Sequence, residues 1–132
     1  MLAVISDLHD NLANLQKTLN YCQQQKITKL TCCGDITNSE TLTYLSEHFN
    51  GIIWLVGGNI ELYEVAELAN YYNLKYLGRN GGAFELQGKR IGLCHEPGLI
   101  ADLIKQYPNL DIIFYGHTHQ PWEKMVDGVK TI

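Results

Sequence analysis

Short apolar runs alternate with amphipathic stretches along the first half of the chain. Leu2 to Ser6 is rich in branched residues, the pattern of a buried strand. Asp10 or Asn11 then offers an N-cap, and Leu12, Leu15, Leu19 and Cys22 follow at spacings of three and four, one face of a helix. Leu30 to Cys33 predicts a second strand, stopped by Gly34-Asp35, and Leu42, Leu45 and Phe49 mark a second helix. Ile52 to Val56 predicts a third strand, stopped by Gly57-Gly58-Asn59. Leu62, Val65, Ala66 and Ala69 outline a third helix whose last turn merges into Tyr71-Tyr72. Glu61 and Glu64 sit in its first turn, where acids suit the helix dipole. Strict alternation of strand and helix implies a parallel sheet with right-handed crossovers.

The second half changes period. Phe84 and Leu86 alternate with polar residues, as do Ile91 and Leu93, and a two-residue turn at Gly88-Lys89 predicts a hairpin between them. Leu99, Ile100, Leu103, Ile104 and Tyr107 give a fourth helix, and Asp111 to Tyr115 a further strand. Trp122 to Val126 and Val129 to Ile132 flank Asp127-Gly128, a strong hairpin signal. Two facing sheets with helices outside is the economical packing.

Composition narrows the class. The 132 residues suit one domain, and 45% hydrophobic with 18% charged residues is an ordinary globular balance. The net charge is -4 and the lysines and arginines are scattered, so no nucleic-acid polymer is expected as a partner. No apolar run reaches the ~20 residues of a membrane span. The start MLAVISDLHDN lacks a positive segment, so no signal peptide is expected. Cys22, Cys32, Cys33 and Cys94 form no CxxC pair and are expected as reduced, buried thiols in a cytoplasmic protein.

The loops after the strands carry the chemistry. Asp7 and His9 follow the first strand, Asp35 the second, Asn59 the third, His95 the Arg90 to Cys94 strand, and His117 and His119 the last buried one. Ligand sites of open α/β sheets gather at such strand ends. Residues i and i+2 of an extended segment share a side, so Asp7 and His9 are expected to converge, as are His117 and His119. Imidazole with carboxylate suits Zn, Mn, Fe or Ni, and seven donors exceed one four-coordinate ion. With Asp35 shared they divide into two sets of four, and two ions roughly 4 Å apart activate water and neutralise phosphoryl charge. Taken singly each residue has a structural reading; their coincidence at equivalent positions favours ligation. His48 lies on a helix, away from the strand-end loops, and is read as surface, and Glu96 and Asp111 stay unassigned.

These residues resemble the calcineurin-like metallophosphoesterase superfamily, in particular its small single-domain bacterial and archaeal phosphodiesterases. The blocks D-x-H, G-D, G-N-x-[DE], an isolated His and G-H-x-H stand here in order as Asp7-Leu8-His9, Gly34-Asp35, Gly58-Asn59-Ile60-Glu61, His95 and Gly116-His117-Thr118-His119. The resemblance implies a two-layered αββα sandwich spanning residues 1–132 as a single domain, with a dinuclear site. It implies Asp7, His9, Asp35 and His119 at a first metal, and Asp35, Asn59, His95 and His117 at a second, with Asp35, Asn59 and His95 also catalytic. It implies two divalent ions, manganese first among Mn, Zn, Fe, Ni and Mg, and a metal-dependent phosphodiesterase acting on a small phosphate ester by direct attack of a bridging hydroxide.

Three departures stand out. Ile60 occupies the place of a histidine that many relatives use on the leaving group, so a slower enzyme is expected, one favouring esters that need little protonation. Glu96-Pro97 replaces the Gly-His that commonly follows the isolated histidine. The chain ends at Ile132, where relatives continue through further strands, which is read as either a truncated chain or a short version, and an edge strand left open there would invite homo-oligomerisation. A non-catalytic metal-binding or protein-interaction scaffold on the same fold is the alternative. Amidohydrolase and metallo-β-lactamase patterns fit poorly: the first places H-x-H near the chain start, and the second follows it with x-D-H, where Gln120-Pro121-Trp122 stand here.

Overall fold

The N-terminal apolar run becomes β1 (Ala3–Ile5) in a computed structural model that describes residues 1–132. α1 (Leu12–Gln24) follows, and of the two cap candidates Asn11 serves, its Oδ1 accepting from Asn14 N at 3.1 Å. Then come β2 (Lys29–Cys32), α2 (Ser39–His48), β3 (Ile52–Leu55) and β4 (Leu74–Tyr76). The four strands form one parallel sheet in chain order. Right-handed crossovers in such a sheet leave the helices on one face. There Leu15, Leu19 and Cys22 of α1 and Leu42 and Leu45 of α2 pack with Leu30, Ile53 and Leu55 in one apolar cluster.

The second sheet has the order β5-β6-β7-β9-β8, from β5 (Gly82–Leu86), β6 (Lys89–Leu93), β7 (Ile112–Phe114), β8 (Lys124–Val126) and β9 (Val129–Thr131). α3 (Ile100–Gln106) links the parallel β6 and β7, and its Ile100 and Leu103 pack with Leu110, Ile113 and Val129. A third cluster, with Cys33, Val56, Ile91 and Leu93 at its centre, lies between the sheets. Trp54 of one sheet stacks on Phe84 of the other, ring centroids 4.1 Å apart at 11°. The layers therefore run helix, sheet, sheet, helix, the αββα sandwich that the sequence implies. All four cysteines are buried and unpaired.

Several elements differ from the sequence reading. The third helix is a 3-10 helix over Val65–Asn70, not an α-helix from Leu62. Leu62 and Val65 are exposed, while Tyr63 and Leu68 are buried, so the apparent helical face never packs. Glu61 is drawn away from any first turn, because its carboxylate accepts from Gly58 N, Thr37 N and Ile36 N. Buried Asn73 then redirects the chain into β4, its Nδ2 donating to the Ser46 and Phe49 carbonyls and its Oδ1 accepting from Ser46 Oγ. β4 itself was not foreseen, since Leu74-Lys75-Tyr76 is too short to show a period.

The first hairpin turns at Gln87-Gly88 rather than Gly88-Lys89, with Leu86 opposite Lys89. Both turn residues have positive φ (52° and 74°), the type I′ geometry that matches strand twist. Asp127-Gly128 turns as expected, with φ of 48° and 80° and Val126 opposite Val129. The fourth helix begins as a 3-10 turn, Pro97–Leu99, before α3. Asp111 pins β6 beside β7, accepting from Lys89 Nζ at 2.9 Å and Arg90 N at 2.8 Å, which holds its carboxyl below the usual range.

Candidate metal centre

The loops after β1, β2 and β3 meet the loops after β6 and β7 at one end of the sandwich. Asp7 N donates to the Gly34 carbonyl and His9 N to that of Asp35, both at 3.0 Å, tying the first loop to the second. Gly116 N donates to the His95 carbonyl at 3.0 Å, and His117 N donates to both oxygens of Asp7 at 3.1 Å. The last of these bonds joins the two sheets through a carboxylate.

Two glycines permit this approach. A Cβ on Gly58 would stand 2.0 Å from Asp35 Oδ1, and one on Gly116 would stand 1.9 Å from Ser6 Oγ and 2.6 Å from Asp7 Oδ2. The backbone is also unusual at the donor residues themselves. Asp7, His9, Asp35, His117 and His119 have φ of 52°, 43°, 55°, 71° and 53°. This left-handed conformation costs a side-chain-bearing residue on the order of 1 kcal/mol. It also corrects the expectation that extended segments place these pairs: each D-x-H or H-x-H stretch is folded through left-handed residues, and convergence comes from the turn.

All seven donors converge, in two overlapping groups. Asp7, His9 and His119 offer ligand atoms within 4.8 Å of one another. Within this group His119 Nε2 is 3.4 Å from Asp7 Oδ1, and His9 Nε2 is 3.4 Å from His119 Nε2. In the other group Asp7, Asp35 and His95 offer ligand atoms within the same distance, so Asp7 is common to both, and Asn59 Oδ1 lies 2.7 Å from His95 Nε2 and 3.0 Å from His117 Nδ1. Asp35 Oδ2 stands between them, 3.7 Å from His9 Nε2 and 3.3 Å from His95 Nε2. Asp35 and His95 are buried, while His119, His117 and Asn59 are exposed at the mouth. His48 takes no part; it is exposed and stacks on Tyr44.

The donor chemistry fits a cation. His95 Nδ1 is 2.7 Å from the Cys33 carbonyl, which only accepts, so Nδ1 carries the ring proton. The ring then points Nε2 at Asn59 Oδ1 and Asp35 Oδ2. In the neutral ring this nitrogen presents a lone pair, and an imidazole nitrogen beside a carboxylate and an amide oxygen is a donor set that suits a divalent cation.

Three residues support the centre in roles that the sequence reading did not give them. Glu61, quoted there only as part of a motif and a helix turn, fixes the β2 and β3 loops through the three N–H groups named above. Ile60 N donates to Asp35 Oδ1 at 2.8 Å and sets that carboxylate's orientation. Asp10 accepts from Asn38 N and Thr41 Oγ1, fastening the β1 loop to the start of α2. Glu96, unassigned from sequence, accepts from Arg79 Nη2 at 2.6 Å. That guanidinium holds the Glu96 carboxyl below its usual range.

Solved structures share this arrangement of chain. An archaeal phosphodiesterase superposes with a TM-score of 0.83 at 22% identity, covering 99% of this chain and 81% of that one. A phosphoesterase from E. coli gives a TM-score of 0.69 at 20% identity, covering 98% of this chain and 76% of that one. Vacuolar protein sorting 29 from Cryptosporidium parvum gives 0.70 at 18% identity, covering 99% of this chain and 71% of that one. In sequence, an uncharacterised protein of Methanocaldococcus jannaschii is 26% identical over 160 residues, and this chain spans 97% of itself but 66% of that protein. The sequence profile of the calcineurin-like phosphoesterase superfamily domain matches residues 1–132, and the chain belongs to that superfamily.

Proposed function

We propose that the protein is a metal-dependent phosphoesterase, a phosphodiesterase by preference, holding two divalent ions that share Asp35. The observation that carries this reading is the position of Asp35 Oδ2, within 3.7 Å of His9 Nε2 and 3.3 Å of His95 Nε2. One set is Asp7, His9, Asp35 and His119; the other is Asp35, Asn59, His95 and His117. Oxygen and imidazole donors without thiolate suit Mn, and also Zn, Fe, Ni or Mg. Bound there, such ions supply Lewis acidity at the phosphoryl oxygens and a nucleophilic water at neutral pH.

The chain's own residues orient this chemistry. The Cys33 carbonyl fixes the His95 tautomer, Ile60 N holds Asp35, and His117 N holds Asp7. Ile60 presents an exposed aliphatic side chain beside Asn59 and has no proton to give a leaving group. Esters with acidic leaving groups are therefore favoured. A small phosphate ester in the cytoplasm is the proposed setting, in keeping with four buried, unpaired thiols.

The test is hydrolysis of bis(p-nitrophenyl) phosphate by metal-stripped protein titrated with Mn²⁺, beside metal content. Two ions per chain and turnover lost in Asp35→Ala support the reading. Two ions without turnover in wild type would shift it to a non-catalytic scaffold, an outcome that the missing donor at Ile60 favours.

A further inference from the structure

We infer that Arg79 is a substrate-binding residue that takes a second anionic oxygen group, a carboxylate or phosphate, on the part of the substrate beyond the scissile phosphorus. The inference rests on the phosphoesterase reading above.

A cavity of about 300 Å³ adjoins the centre, and Asn59, Glu61, Tyr63, Val65, Tyr76 and Arg79 line it. Asn59 belongs to both the cavity and the donor set, so a molecule held at the centre has this space as its neighbour. Arg79 reaches the cavity because of β4. Gly57 N donates to the Gly78 carbonyl at 3.2 Å, and Gly78 turns with φ of 107°. A Cβ on Gly57 would meet Tyr76 Oη at 2.8 Å and Arg79 Cδ at 3.2 Å, so both side chains lie on the strand end that leads to Asn59.

The charges are complementary. The metal centre is built of acceptors, whereas this wall carries donors. Arg79 spends one N–H on Glu96, and of its five donors the others find no acceptor in the protein. Glu61 also lines the cavity, but three backbone N–H groups engage its carboxylate. Glu96 follows His95 directly, and its pair with Arg79 is half-exposed, 45% and 36% for the two side chains. A solvent-exposed pair of this kind is weak and exchanges readily for a better-placed anion. Glu96 thus holds Arg79 at the cavity rim until an anionic group of the substrate replaces it. In a chain of net charge -4, this cation gives a doubly anionic ester a local partner.

The test compares three ligands of equal carbon length against Mn²⁺-loaded protein by titration calorimetry. Glycerol 3-phosphate carries a neutral tail, 3-phosphoglycerate a carboxylate, and glycerol 1,3-bisphosphate a second phosphate. Wild type should bind one or both anionic-tailed ligands about tenfold tighter than glycerol 3-phosphate, and the preferred one names the group. Arg79→Gln should abolish the preference, and Glu96→Gln should enlarge it, each with metal content unchanged. Equal binding of all three by wild type, or a preference that survives Arg79→Gln, overturns the inference. Because calorimetry reads binding, a protein without turnover still reports on Arg79. Turnover without preference rejects this inference alone, and preference without turnover rejects only the catalytic reading.

Discussion

His95 donates its Nδ1 proton to the carbonyl of Cys33 at 2.7 Å, joining the end of β6 to the end of β2 across the sandwich. The bond decides which nitrogen faces the centre. His95→Asn shortens the side chain and removes Nε2 from the second donor set. The expected result is a fall from two bound ions to one, with at least about 100-fold lower turnover, read by elemental analysis beside the bis(p-nitrophenyl) phosphate assay. Two retained ions would remove His95 from the ligand set.

Gly58→Ala places a methyl carbon 2.0 Å from Asp35 Oδ1. Overpacking of this kind costs about 1–3 kcal/mol. Asp35 must also leave its position between the sets, so both ions should bind weakly. Gly98→Ala, where a Cβ meets nothing within 4 Å, is the control. Equal thermal midpoints and equal metal affinity for the two variants would show that Asp35 has slack.

Glu61→Ala leaves the N–H groups of Gly58 and Thr37 without their carboxylate, at a cost of about 1–3 kcal/mol. Both loops carry candidate metal donors. Metal affinity should drop roughly 10–100-fold although Glu61 is not itself a ligand. Denaturant melts and Mn²⁺ titration separate the two effects, and unchanged affinity in a destabilised variant would confine Glu61 to stability.

Burial pushes the Cys32 and Cys94 thiols up to about 12 from an ordinary 9.0. Below pH 9 each is protonated in both folded and unfolded chains and contributes nothing to pH dependence. Above it the unfolded thiols ionise and the folded ones do not. Stability should therefore fall with rising pH until about 12, by roughly 1 kcal/mol per unit for each thiol. Urea midpoints at pH 8 and pH 10 measure this. At pH 8 a thiol reagent should label neither cysteine without denaturant.

The strands β2 and β3 were legible because buried parallel strands are continuous apolar runs, and α1 because Leu15, Leu19 and Cys22 keep one face; β1 forms from its apolar run but is not the buried strand expected, since Val4 is exposed and Ala3 and Ile5 are only partly covered. The same spacing misled at Leu62 and Val65, whose side chains stay in solvent once Glu61 and Asn73 bind the backbone. Position in the loops disclosed the seven donors. It did not disclose the left-handed turns at Asp7, His9 and His117, which depend on hydrogen bonds between loops far apart in sequence. Arg79 was invisible for a related reason: β4 is three residues long, and a cation 17 positions from its carboxylate leaves no periodic mark.

The Trp54–Phe84 stack holds together two halves that each own part of the centre. Asp7, His9, Asp35 and Asn59 ride on the first sheet, and His95, His117 and His119 on the second. Neither half has a full donor set alone. A metal held there would thus be a gauge of alignment between the halves. Slippage at that aromatic contact would register as faster loss of metal to a chelator while the helices of both layers remained intact.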